Sequence, residues 1–127
     1  MAPLRYSDVV ASLFRAVPEA KTAYDRWEMP CDSLPYVVFS FLDESFFSPT
    51  VNSENNQELL ERIFQFFESM ATSNDVEVVN LLYVGVFEAW VGDKTTLRRA
   101  FRHMRPATKA LATEAAHHLR CGQNLPS

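Results

Sequence analysis

Three residues near the end of the chain have the types and spacing of a possible metal site. Glu114, His117 and His118 would share one face of a helix, an arrangement found in carboxylate-bridged metal bundles. Such a bundle needs a second Glu-x-x-His motif, and the sequence contains none. A pair of solvated histidines near a helix end, where a cation is favourable, explains the same residues. We therefore predict no metal site.

The other candidates for chemistry are two adjacent acids and two cysteines. On a helix Asp43 and Glu44 point about 100° apart and form no acid/base pair. Asp32 disfavours a thiolate at Cys31, and neither Cys31 nor Cys121 belongs to a zinc or redox motif. We expect free thiols, with a disulfide between them as the alternative. Without a nucleophile elbow or a phosphate-binding glycine loop, the sequence predicts no enzyme activity, no cofactor and no small-molecule substrate.

The charges are distributed unevenly along the 127 residues, whose net charge is −4. Residues 1–93 contain 15 of the 16 acids and 5 of the 12 bases. Within residues 27–93, 12 acids accompany one base, Arg62, which disfavours nucleic acid and favours a cationic partner. The basic residues that follow either neutralise this acidic part or bind phosphate. A nucleic-acid module would need them on one helical stripe, which Pro106 interrupts; they are Arg98, Arg99, Arg102, Arg105 and Lys109.

Helix signals recur along the chain and hairpin signals are absent, which predicts an all-α protein. We expect one compact domain of six to seven antiparallel helices in HEAT-like pairs. It would comprise N-terminal helices over 1–33, a helical core over 34–119 and a flexible tail over 120–127. No apolar run is long enough to span a membrane, and the first residues lack the pattern of a secretory signal, so we expect a cytoplasmic protein.

Several local features of these helices can be predicted. Polar residues favour a loop over 48–56, and Asn74 is a suitable cap for the helix that follows it. Gly85 lies in a helix that is apolar on most faces, which predicts a central helix approached closely by a neighbour. Gly122 is expected to cap the last helix. The buried stripe of the third helix is predicted to be Leu34, Val37, Val38, Phe41, Leu42 and Ser45.

Most of the ten phenylalanines are expected to lie in the core. Phe66 is the exception, because it lies one step off the apolar stripe formed by Phe64 and Phe67. An exposed aromatic side chain at this position would serve as an anchor for a partner protein. Tyr36 and Phe47, beside the predicted loop, are weaker candidates of the same kind.

Four segments together resemble a family of small all-helical bacterial proteins of uncharacterised function. They are the run from Leu34 to Phe39, the helix from Leu59 to Met70 with Glu68, the run from Asn74 to Leu82, and Val86 to Glu88. The resemblance covers roughly residues 34 to 119 and implies HEAT-like helix pairing. Members are similar to the immunity proteins encoded beside polymorphic toxins, including Rhs-type effectors. It implies no catalytic residue, and its polar positions, Glu68 and Glu88, could have a structural role.

The leading hypothesis is therefore an immunity protein that binds and neutralises a cognate, basic toxin domain. An acidic domain without catalytic motifs suits this role, because its charge accelerates encounter with a basic target. The alternative is a helical adaptor or chaperone that engages an effector through an apolar groove. We expect neither nucleic acid nor a membrane as partner. The residues predicted to bind the toxin are Asp43, Glu44, Glu54, Glu58, Glu61, Phe66, Asp75 and Glu77.

Overall fold

The computed structural model describes residues 4–26, 34–53 and 55–126. Within these ranges it contains seven α-helices and no strand, which confirms the predicted all-α class and single compact domain. Cys31 and Glu54 lie outside the described residues. The helices are α1 (Val9–Ala16), α2 (Pro18–Arg26), α3 (Pro35–Leu42, a π-helical turn over Asp43–Phe47, and Ser48–Ser53), α4 (Gln57–Ala71), α5 (Val76–Leu82, a π-helical turn over Tyr83–Phe87, and Glu88–Val91), α6 (Lys94–Phe101) and α7 (Pro106–His118).

The prediction of a loop over residues 48–56 is wrong for its first six residues, which form the last part of α3. Val51 anchors this part because its side chain is fully buried. The Asn52 amide donates to the carbonyl oxygen of Ser48 and to Oγ1 of Thr96 on α6, both at 3.0 Å. Asparagine side chains often disfavour helices because they compete for the hydrogen bonds of the backbone. Here the Asn52 amide has hydrogen-bond partners while the residue remains helical.

The buried face of α3 differs from the predicted stripe before the π-helical turn, and the turn keeps this face in line along the helix. Leu34 and Val37, predicted to be buried, are 68% and 47% exposed, whereas Phe39 is fully buried. Beyond Phe39 the buried hydrophobic positions on α3 include Leu42 and then Phe47, a step of five residues. Because a π turn holds about one extra residue, this step keeps both parts of α3 facing the core.

Helix α5 is central, as predicted, and packs against α3, α4, α6 and α7. Gly85 lies in its π-helical turn. A Cβ atom at this position would be 3.3 Å from Cβ of Phe39 on α3, which is closer than most such contacts. The prediction of a close helix approach at Gly85 is therefore confirmed, and the missing side chain lets the two helices meet.

Aromatic side chains from three helices form the middle of the core. Phe67 of α4 packs edge to face against Phe47 of α3 and Phe87 of α5, with ring centroids 5.0 and 6.3 Å apart. The Trp90 ring of α5 lies 6.0 Å from the rings of Phe64 and Phe67. Such tilted and edge-on pairs stabilise the core beyond the area they bury.

Three helices begin at polar side chains that accept a hydrogen bond from the first helical turn. Asn56 caps α4, Asp75 caps α5 and Asp93 caps α6. The prediction of Asn74 as the cap of α5 is wrong by one residue, because the carboxylate of Asp75 accepts the N–H of Glu77 at 3.0 Å.

The end of α7 also differs from its prediction. Arg120, not Gly122, takes the left-handed backbone conformation after the helix, with φ of 60°. The residues beyond it, in the segment predicted to be a flexible tail, bond to other helices. The Asn124 amide donates to the carbonyl oxygen of Val91 at 2.9 Å, and Nε of Arg98 donates to the carbonyl oxygen of Asn124 at 3.2 Å.

Helix α7 begins at Pro106, as predicted, and its N-terminus is capped by a side chain from another helix. The carboxylate of Glu68 on α4 accepts the backbone N–H groups of Ala107 and Thr108, each at 2.9 Å. These donors have no partner within α7, and a negative charge is favourable at a helix N-terminus. Glu68 therefore has the structural role that the sequence left open.

Replacing Glu68 should destabilise the fold. Glu68→Ala removes both acceptors and is expected to lower the free energy of unfolding by about 1 to 3 kcal/mol. Glu68→Gln keeps one oxygen and should cost less. Chemical denaturation measures both values, and Glu61→Ala, at an exposed acid of the same helix, is the matched control with a change below about 0.5 kcal/mol. Equal losses at the two positions would contradict the capping role.

Candidate functional site

The exposed members of the predicted partner-binding set are all glutamates. Glu58 and Glu61 are three residues apart on α4, so they lie on neighbouring positions of one helix. Glu44 is exposed on α3, and Glu77 is exposed in the first turn of α5. Glu54 lies outside the described residues.

Glu58 is part of a three-residue ion-pair network. Nε of Arg62 donates to the Glu58 carboxylate at 2.7 Å, and its two Nη atoms donate to both carboxylate oxygens of Glu19 on α2 at 2.8 and 2.6 Å. The bidentate contact with Arg62 holds the pKa of Glu19 below its ordinary value. Glu61 borders a small pocket together with Arg102 and Arg105.

Asp75 uses both carboxylate oxygens within the fold. Oδ1 accepts the N–H of Glu77 at the start of α5, and Oδ2 accepts the N–H of Tyr6 at 2.9 Å. Asp75 therefore ties the turn before α1 to the start of α5. Asp75 is half-buried, and both of its carboxylate oxygens are used in hydrogen bonds that stabilise the fold.

Asp43 is buried, which contradicts its predicted place on an exposed acidic face. Only 6% of the residue is exposed. Its Oδ1 accepts the indole N–H of Trp90 at 2.6 Å and the hydroxyl of Ser48 at 2.9 Å. The pKa of Asp43 is raised to about 6, mainly by burial and also by the neighbouring Glu44, against the opposing effect of the two hydrogen bonds.

Phe66 is also buried, so the prediction of an exposed aromatic anchor is wrong. Its exposure is 7%. Helix α1 packs against α4, and Ala16 at the end of α1 lies beside Phe66 in a shallow pocket that also contains Gln65 and Ser69. The apolar face of α4 is wider than the stripe through Phe64 and Phe67, because α1 covers a second side of the helix.

The basic residues fall on α6, on α7 and in the turn between them. Arg98 and Arg99 donate to backbone carbonyl oxygens, including that of Asn52 at 2.9 Å from Arg99 Nη1. The Lys109 ammonium lies 5.9 Å from the centre of the Phe101 ring. Because α6 ends at Phe101 and α7 begins at Pro106, the break expected at Pro106 is present.

A groove of about 470 Å³ lies between α5 and α7, a size typical of binding pockets. It is bordered by residues that the sequence did not single out for binding, and by Glu114 and His118. The His118 ring packs edge-on against Tyr83, with centroids 6.4 Å apart. Among the described residues no group of three His, Cys, Asp or Glu side chains is placed to hold a metal ion. The apolar lining residues are Val76, Val79 and Leu111.

A helical-wheel projection of α5 gives the signal that could have located this groove. Val76, Val79 and Tyr83 recur at intervals of three and four residues, on a different face from the fully buried Val78 and Leu81. Because this helix is apolar on most faces, the sequence predicted a central helix buried between neighbours. The structure instead leaves Val76 78% exposed.

Comparison with known families places the chain in one of them. The model of a domain of unknown function, DUF7674, matches residues 10–120, which is most of the chain. The protein belongs to the DUF7674 family. This confirms the resemblance to a family of uncharacterised function, and the match begins earlier than the predicted start at residue 34. No curated protein and no solved structure matches the chain.

The helices were also compared with the requirements of a membrane span. Within the described residues, none combines the length and the apolar character needed to cross a bilayer.

Asp43 should make the stability of the fold depend on pH. The native carboxyl takes up its proton near pH 6, whereas the unfolded chain does so near the ordinary value of 3.8. The contribution of Asp43 to the free energy of unfolding therefore rises as the pH falls from 7.5 to about 4, by a few kcal/mol. Both hydrogen bonds reach Oδ1, so Oδ2 can be protonated without breaking either.

Asp43→Asn is the matched variant, because asparagine keeps the shape and cannot ionise. Thermal or chemical unfolding of both proteins between pH 4.5 and 7.5 yields the difference in stability at each pH. Taking the difference cancels the opposite contribution of Glu19, whose lowered pKa favours the native state at high pH. The stability of the wild type relative to Asp43→Asn should rise toward acid; a difference that does not change with pH would contradict this account.

Proposed function

We propose that this protein is an immunity protein, which binds a cognate toxin domain and neutralises it as a stoichiometric inhibitor. The observation that carries the proposal is the group of exposed glutamates on a small helical domain, with Glu58 and Glu61 adjacent on α4. The family resemblance supports the same role. The toxin domain would be basic, and the two proteins would meet in the cytoplasm.

Electrostatic attraction is the first step of the proposed binding. The acidic region retains exposed charge at Glu44, Glu61 and Glu77, while Asp43 and Glu68 are engaged within the fold. Exposed negative charge raises the rate of encounter with a basic surface and orients it before contact. The bound domain would then cover the active site or the substrate groove of the toxin.

An adaptor or chaperone for a secreted effector is the second candidate. The groove between α5 and α7 favours it, because a peptide segment of a cargo protein could bind there without inhibition of an enzyme. The two candidates differ in the free partner. A toxin kills when its inhibitor is removed, whereas the cargo of an adaptor is harmless alone.

Charge reversal on α4 should slow association with the cognate partner. Glu58→Lys with Glu61→Lys is expected to lower the association rate constant about tenfold at low salt, with a smaller effect at high salt. Stopped-flow mixing with the purified product of the neighbouring gene, the candidate toxin, measures the rate.

The matched control reverses two exposed acids outside the predicted set, Asp8→Lys with Asp25→Lys. It changes the net charge equally, and Asp25 is paired with Lys21 at 2.7 Å as Glu58 is with Arg62. The control should retain most of the association rate. An equal decrease in both double variants would show that only net charge matters, and unchanged binding of the α4 variant at low salt would refute the proposed surface.

A further inference from the structure

The groove between α5 and α7 combines an apolar floor with an exposed rim. Val79 on α5 and Leu111 on α7 both line it and are half-buried. Val76, at its edge, is 78% exposed, a high value for a valine in the first turn of a helix. Large exposed apolar side chains grouped beside a groove are typical of a protein-binding surface.

This surface continues across α5 toward α3. Val84 on α5 is 41% exposed, and Val37 on α3 is 47% exposed. The Asn80 amide, which lines the groove, donates to the hydroxyl oxygen of Tyr36 on α3 at 2.8 Å and fixes the two helices side by side. The exposed face of α5 therefore lies between a groove on one side and α3 on the other.

The charges around the groove are negative. Within the described residues its lining holds one carboxylate, that of Glu114, and neither lysine nor arginine. Burial raises the pKa of the Tyr83 hydroxyl, and the nearby carboxylates of Glu114 and Glu88 raise it further. Glu77 adds a negative charge in the same turn of α5 as Val76. An apolar groove with acids around it complements a segment that is apolar on one face and basic on the other.

We propose that this groove binds a basic amphipathic helix of the partner protein. An apolar side chain of that helix would insert between Val79 and Leu111, and its lysine or arginine side chains would pair with Glu114. The inference rests on the proposed function in one respect, since both require a protein partner. It adds a second surface, in addition to the acids of α4, and the chemical class of the segment that binds there.

A synthetic probe tests the groove without the natural partner. The probe is a fluorescein-labelled peptide of about 14 residues, with leucines at helical i, i+3, i+4 and i+7 spacing and lysines elsewhere. A second peptide has glutamates in place of the lysines. Fluorescence anisotropy measures the binding of each to the full chain at low and moderate salt.

Two variants at exposed positions change the groove with little risk to the fold. Glu114→Lys should weaken binding of the lysine peptide about tenfold, and Val76→Ser should weaken it several-fold. Asp25→Lys, an equal charge change at an exposed position of α2, is the control and should alter the affinity less than about threefold. Binding of the glutamate peptide should be much weaker than that of the lysine peptide.

Three results of the peptide assay would overturn the inference: no binding of the lysine peptide, equal binding of the two peptides, or equal weakening by Asp25→Lys and Glu114→Lys. A second copy of this chain as the occupant would appear as self-association of the wild type that Val76→Ser abolishes, and would also overturn it. A different result would contradict the proposed function without affecting this inference. If the peptide binds as expected but the natural partner is harmless, the groove stands and the inhibitor role does not.

Discussion

The hydrogen bond from the Trp90 indole to the Asp43 carboxylate is the contact around which the helices are arranged. It joins the π-helical turn of α3 to the part of α5 that follows its own π-helical turn. Both side chains are buried, so removal of either one would leave the other without a strong hydrogen-bond partner. The Ser48 hydroxyl completes the cluster, and the close approach of Phe39 to Gly85 holds the same two helices together.

Acidic side chains in this protein have two roles: some stabilise the fold, and others are exposed to solvent. Asp43, Glu68 and Asp75 accept hydrogen bonds that link separate helices, and this use is structural. Glu44, Glu61 and Glu77 are exposed and free to act on a partner. A count of acids along the sequence therefore overstates the charge available for binding, although the exposed remainder is still negative. The proposed function depends on this remainder.

The sequence was sufficient for the fold class, the central position of α5 and the start of α7 at Pro106, because periodicity and proline chemistry are local signals. The burial of Leu34 and Val37 was mispredicted because both lie at the start of the helix, Leu34 as its N-cap residue, where periodicity does not show which side other helices cover. The π-helical turn after Leu42 was not predicted because no residue type indicates such a turn. Contacts between distant parts of the chain determine which of the predicted site residues are buried. Whether Phe66 is buried depends on α1, and neither helix alone carries that information.

The most direct test of the inhibitor role is the growth of cells that express the product of the neighbouring gene, with and without this protein. We predict that the partner alone kills, and that co-expression restores growth and yields a one-to-one complex on purification. A partner that is harmless when expressed alone would contradict the account, and the adaptor role would then explain the structure better.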